Sequence, residues 1–163
     1  MHGKRLFWEA RFEPARTALE SVLQRSDLKD TYRYEAHLFL AFTLVRSNEP
    51  ESVYQPHFES AIRLNFRNQL DTAKYPPDLI ADYKRIHHAL VGCLYIYSDP
   101  ETEFMIIDDD SVLNRASTPI EICELVDNHF DLLFSKDGYI KQLHPLHLTP
   151  GKTDTLQITL KKF

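Results

Sequence analysis

The chain has 163 residues, 43% of them hydrophobic, and a formal net charge of −5. Residues 1–88 carry 13 Lys and Arg against 12 Asp and Glu, whereas residues 89–163 carry 6 against 12. The length fits one or two small domains, the charge excludes a large basic face for a phosphate backbone, and the lack of an 18-residue apolar run excludes a transmembrane helix.

Taken in order, the apolar residues recur every three or four positions up to about residue 88 and every second position after it. The first period is that of an amphipathic helix and the second that of a half-buried strand. A helical half followed by a β half, without intermixing, predicts an α+β chain in two modules, residues 1–89 and 90–163. Each module is small for an independent core.

Leu6, Phe7, Phe12, Ala15, Leu19, Val22 and Leu23 predict two helices, broken near residues 10–13 because Pro14 is tolerated only in a first turn. Tyr34 to Ser47 predicts the next helix, closed by Ser47-Asn48-Glu49-Pro50. A further helix is expected over 51–64 and another over 77–89, the latter opened by Pro76-Pro77-Asp78. Strands are expected at 92–99, 103–108, 120–125, 129–135, 139–148 and 155–160, with a turn at Asp108-Asp109-Asp110. Six short strands separated by turn residues predict a small antiparallel β-sandwich.

The small and aromatic residues of the helical half form a pattern. Leu40-Ala41 and Leu44 are followed by Phe58 and Ala61, and Phe12 and Ala15 repeat the second-helix part of it. This resembles the tetratricopeptide repeat, a pair of antiparallel helices; Tyr54 stands where that family has a small residue and Phe66 where it has proline. The resemblance implies a concave face lined by the first helix, which places Glu35, Leu38, Phe42, Val45 and Arg46 toward a partner. The alternative is that Leu38, Phe42 and Val45 pack on a neighbouring helix. Fewer than two complete repeats are present where about three are needed to bury a core, so the 77–89 helix and the β half are expected to cap them.

In the β half, Gly92-x-Leu94-x-Ile96-x-Ser98-x-Pro100 is followed by Ile107-Asp108, Thr118-Pro119, Lys136-x-Gly138-Tyr139 and Pro150-Gly151. That series, over residues 92–163, resembles the PEGA domain, although Thr102 and Glu103 replace the Gly and Ala of its naming tetrapeptide. Helical repeats ahead of such a domain imply a bacterial envelope protein, with an export signal upstream of this sequence. A cytoplasmic interaction or regulatory module cut from a larger protein is the alternative.

Residues that carry chemistry are few. His144 and His147 are three apart, so on a strand they diverge. His87 and His88 are adjacent and share no helical face. Asp108-Asp109-Asp110 lacks the spaced carboxylates of a calcium loop. No glycine-rich phosphate loop is present. No metal, cofactor or catalytic residue is therefore expected, and an enzyme is the least favoured class. Tyr95 and Tyr97 form an i, i+2 pair on the outer face of the first strand, fit to stack on a ligand or to pack across strands. Cys93 and Cys123 are either a disulfide or two free thiols. The expected function is non-catalytic binding of a protein or an envelope polymer, through Glu35, Leu38, Phe42, Val45 and Arg46, through Tyr95 and Tyr97, or through both.

Overall fold

A computed structural model describes the chain except residues 109–110 and 127–129. Among the described residues five helices precede seven strands: α1 (His2–Trp8), α2 (Phe12–Leu23), α3 (Asp30–Arg46), α4 (Glu51–Leu64), α5 (Pro77–Leu90), β1 (Val91–Asp99), β2 (Glu103–Asp108), β3 (Ser111–Ser117), β4 (Ile120–Val126), β5 (Phe130–Ser135), β6 (Gln142–Pro145) and β7 (Thr153–Thr159). The change from helix to strand falls between Leu90 and Val91. Two compact units result, Met1–His87 and His88–Phe163.

Helices α1 and α3 end in the same way. After α1, Ala10 takes a left-handed φ of 56°, its N–H bonds the Phe7 carbonyl, and the Arg11 N–H bonds the Leu6 carbonyl. After α3, Asn48 has φ 57°, its N–H bonds Val45, and the Glu49 N–H bonds Leu44. This is the Schellman closure, which satisfies the last carbonyls and reverses the chain. Asn tolerates that conformation, whereas Ala carries a Cβ penalty there. Gly3 is needed for a different reason: a Cβ on it would lie 2.5 Å from Leu19 Cγ, so its absence lets α1 press against α2. In α4 the helix runs through Pro56, giving up one backbone hydrogen bond; the burial of Phe58, Ala61 and Ile62 on the same helix opposes that loss.

The core of the helical unit centres on α3. Every residue from Leu38 to Leu44 is buried. A helix that is apolar on all sides is covered on all sides, and here α1, α2 and α4 surround it. Phe42 lies within 6 Å of the rings of Phe7, Phe39, Phe58 and Tyr75. Thr43, the one polar residue in the run, donates its hydroxyl to the Phe39 carbonyl at 2.7 Å. α3 starts at Asp30, four residues before the expected Tyr34.

α5 belongs to the same core. Leu79, Ile80, Tyr83 and Ile86 are buried, Tyr83 stands 6.0 Å from Phe58, and Arg85 pairs with Glu51 of α4 at 2.7 Å. The segment between α4 and α5 is pinned by Asn68, whose amide donates to Tyr34 Oη and whose carbonyl accepts from Tyr83 Oη. Burial pushes the Tyr83 phenol up to about 12 and raises Tyr34 as well. Because the folded phenols hold their protons beyond the ordinary value of 10, their contribution is fully present below pH 10 and is lost as the pH rises through 12. The helical signal is expected to melt progressively earlier between pH 10 and 12. Tyr34→Phe with Tyr83→Phe should flatten that decline in a circular-dichroism titration; an unchanged decline would show that other groups cause it.

In the β unit, β1 is the middle of a three-stranded sheet ordered β4-β1-β7, and the second sheet is ordered β3-β2-β5-β6. Leu94 and Ile96 of β1, Phe104 and Ile106 of β2, and Phe130, Leu132 and Phe134 of β5 are buried at every second position, as expected for sheets with one covered face. Three expectations are corrected. β7 runs parallel to β1, so the first sheet is mixed rather than antiparallel. Ser111–Ser117 is a strand paired with β2; its polar sequence conceals it because little of it is buried. The strand expected over 139–148 contracts to Gln142–Pro145, and Tyr139 makes an isolated bridge to Lys162. The turn expected at Asp108-Asp109-Asp110 lies partly outside the described residues.

Candidate binding face

The residues expected to line a helical groove are largely committed inside the helical unit. Leu38 is 1% exposed and Phe42 is fully enclosed, which corrects their assignment to a partner-facing surface. Tyr75 is one of the rings that cover Phe42. Its ring sits 5.5 Å from Phe42, 6.3 Å from Phe39 and 6.1 Å from Trp8, so the chain between α4 and α5 lies over this side of α3. Glu35 accepts from Lys4 of α1 at 2.7 Å. Arg46 makes a two-pronged pair with Asp78 of α5, at 2.6 and 3.0 Å, and this holds the Asp78 carboxyl below its ordinary value. Val45 is half-buried. Lys4, Tyr75 and Asp78, which occupy these side chains, lie 31 to 33 residues away from them in sequence, beyond what periodicity can reveal.

The face around Tyr95 and Tyr97 is different. Tyr95 is 39% exposed, and the two rings lie 6.1 Å apart on the central strand. In the register of the sheet, Tyr95 is flanked by Glu121 of β4 and Thr155 of β7, and Tyr97 by Gln157. Tyr97 donates its hydroxyl to Gln157 Oε1 at 2.7 Å, which fixes the ring. Glu121, Thr153, Thr155, Gln157 and Thr159 are all exposed. The result is a pair of aromatic rings bordered by hydroxyl, amide and carboxylate groups, on a strand paired on both edges.

The same face carries the cysteines. Glu124 has φ 58°, and between Gly92 and Leu94 the β1–β4 register slips, so that two residues of β4 oppose Cys93. Cys123 is thereby brought opposite Cys93, and the two form a disulfide. Glu121 offers a carboxylate within 4.8 Å of both sulfurs. The sequence left the oxidation state open because strand pairing, not spacing, decides it.

Other places are less suited to a ligand. A cleft of about 470 Å³ beside the turns at Pro100 and Pro119 is lined by Glu101, Thr102, Glu103, Thr118, Ser135 and Lys136. Its buried hydroxyls are already used: Thr118 bonds the Thr102 backbone and Thr102 bonds the Ser135 carbonyl. His144 lies against Phe134 and Gln142. His87 donates to the Phe66 carbonyl at 2.7 Å and stacks on Tyr83. Among the described residues no helix is long and apolar enough to cross a membrane. Comparison with protein-family models, with curated proteins and with solved structures finds no match.

Proposed function

We propose that this chain is a non-catalytic binding protein of the bacterial cell envelope, built from tetratricopeptide-like hairpins and a PEGA-like β-sandwich, and that it engages a protein or an envelope polymer through the outer face of the β4-β1-β7 sheet. The observation that carries this reading is the Tyr95–Tyr97 pair on a central strand, Tyr95 exposed and Tyr97 half-buried, bordered by Glu121, Thr155 and Gln157. Tyrosine provides a broad apolar surface with a polar tip and loses little conformational freedom on binding. The Cys93–Cys123 disulfide beside it supports an extracytoplasmic setting, because such bonds persist in oxidising compartments. On this reading the helical unit is a spacer or mount, since its Leu38 and Phe42 are spent on its own core.

Co-sedimentation with isolated envelope polymer, and capture of purified envelope proteins, test it directly. Tyr95→Ala with Tyr97→Ala should weaken binding about tenfold or more, near 1.4 kcal/mol, without lowering the melting temperature substantially. Binding that is unchanged in this variant would overturn the assignment to the sheet face. Free thiols at Cys93 and Cys123 in protein taken from its native cell would instead favour the cytoplasmic module.

A further inference from the structure

Among the described residues, β3, β6, β4 and β7 lie at the edges of the two sheets. A bare edge offers a row of unpaired backbone groups, and proteins blunt it with a bulge, a proline or a charged side chain. Three of these edges are blunted. β3 carries Arg115, and its register with β2 slips between Ile106 and Ile107. β4 slips against β1 between Gly92 and Leu94 and holds Glu124 at φ 58°. β6 has four residues and ends in Pro145. β7 is different: its seven residues pair with β1 without a register shift and include no proline, lysine or arginine.

Hydrogen bonds at the two ends of β7 show which of its backbone groups are free. The Cys93 N–H bonds the Lys152 carbonyl, and the Leu160 N–H bonds the Asp99 carbonyl. Alternate residues of a strand bond the same neighbour, so Asp154, Leu156 and Ile158 turn to β1, whereas Thr153, Thr155 and Gln157 turn their N–H and C=O away from it. Thr159 continues the outward set, and its carbonyl accepts from Gln142 Nε2 at 3.0 Å. Thr153, Thr155 and Gln157 are exposed, and no described strand lies beyond them in the sheet. Beside this edge is a cleft of about 360 Å³, lined by Leu94, Leu146, Leu148, Thr155 and Leu156.

We propose that the free edge of β7 binds an extended peptide segment of a partner protein as an added strand, with one apolar side chain of that segment in the leucine-lined cleft. A row of N–H and C=O groups at strand spacing is complemented by another peptide backbone, and a pocket beside it selects among alternate side chains. The occupant is a short segment and not a second copy of this chain. A second β7, antiparallel about Thr155, would run its Pro150-Gly151 turn into Gln142 at the Thr159 end, whereas a peptide stops short of it. The edge is separate from the Tyr95–Tyr97 pair and does not depend on it.

The test is amide hydrogen exchange of the full oxidised chain, read residue by residue by nuclear magnetic resonance. In the free chain the Thr155 and Gln157 amides should exchange fast, while those of Leu156 and Ile158 are protected. The probes are synthetic peptides that alternate threonine with leucine, isoleucine or phenylalanine, flanked by lysines. At least one should slow exchange at Thr155 and Gln157 about tenfold or more, and N-methylation of the probe residues that face β7 should abolish the effect. Thr155→Pro removes an outward N–H without taking a donor from the ladder to β1, a change that edge strands tolerate. It should weaken probe binding about tenfold or more at a nearly unchanged melting temperature, whereas Tyr95→Ala with Tyr97→Ala should leave binding intact. The proposal is overturned if the Thr155 amide is already protected in the free chain, if its protection grows with chain concentration alone, as a second copy would cause, or if no probe protects it. Exchange in the unaltered chain decides even where Thr155→Pro fails to fold.

Discussion

Phe42→Ala is expected to cost about 3–5 kcal/mol of folding stability, the range for a fully buried aromatic cut back to a methyl. Phe42 is completely enclosed and meets four other rings, so the cavity cannot fill by a small shift of one neighbour. Against a total of roughly 5–15 kcal/mol, that loss is enough to unfold a large fraction of the helical unit. Arg46→Ala is the contrast. Its pair with Asp78 has side-chain exposures of 33% and 55%, and pairs of that kind contribute about 0–1 kcal/mol. Urea denaturation of the two variants should therefore separate them widely. A Phe42→Ala chain as stable as the unaltered one would return Phe42 to a surface role and reinstate a groove on α3.

The second large effect concerns α5. A fragment ending at residue 74 lacks Tyr75 and the whole of α5, and so loses the cover that Tyr75 gives Phe39 and Phe42 and the contact of Tyr83 with Phe58. Leu79, Ile80, Tyr83 and Ile86 are each buried, and burial of a side chain of this size contributes about 1.5–3 kcal/mol. Their combined loss matches the total stability of a small domain. The fragment 1–74 should be molten or aggregated, whereas 1–90, which keeps α5 entire, should melt cooperatively. Equal melts, with both fragments monomeric, would show that α5 is a linker that stabilises nothing.

The chain-wise order of helices and strands could be read from the sequence because it depends on local period. Pro14 and Pro77 mark first turns, Asn48 marks a helix end, and the alternation of Leu94, Tyr95, Ile96 and Tyr97 marks a strand. Each of these signals acts within a few residues. β3 escaped the same reading because an exposed edge strand with few apolar residues has a period but little contrast between its faces.

What only the tertiary structure decided is which faces are covered. Periodicity shows that Glu35, Leu38, Phe42 and Arg46 share one side of α3, but not that Lys4, Tyr75 and Asp78 come to occupy it. The run from Leu38 to Leu44, apolar at every position but Thr43, was the available sign, since a stretch of helix with no polar side has no side to spare. The parallel pairing of β1 with β7, the Cys93–Cys123 bond and the meeting of His37 with His57 follow the same logic. Each joins residues 20 to 60 positions apart, and closing loops of that length costs entropy that only the assembled cores repay.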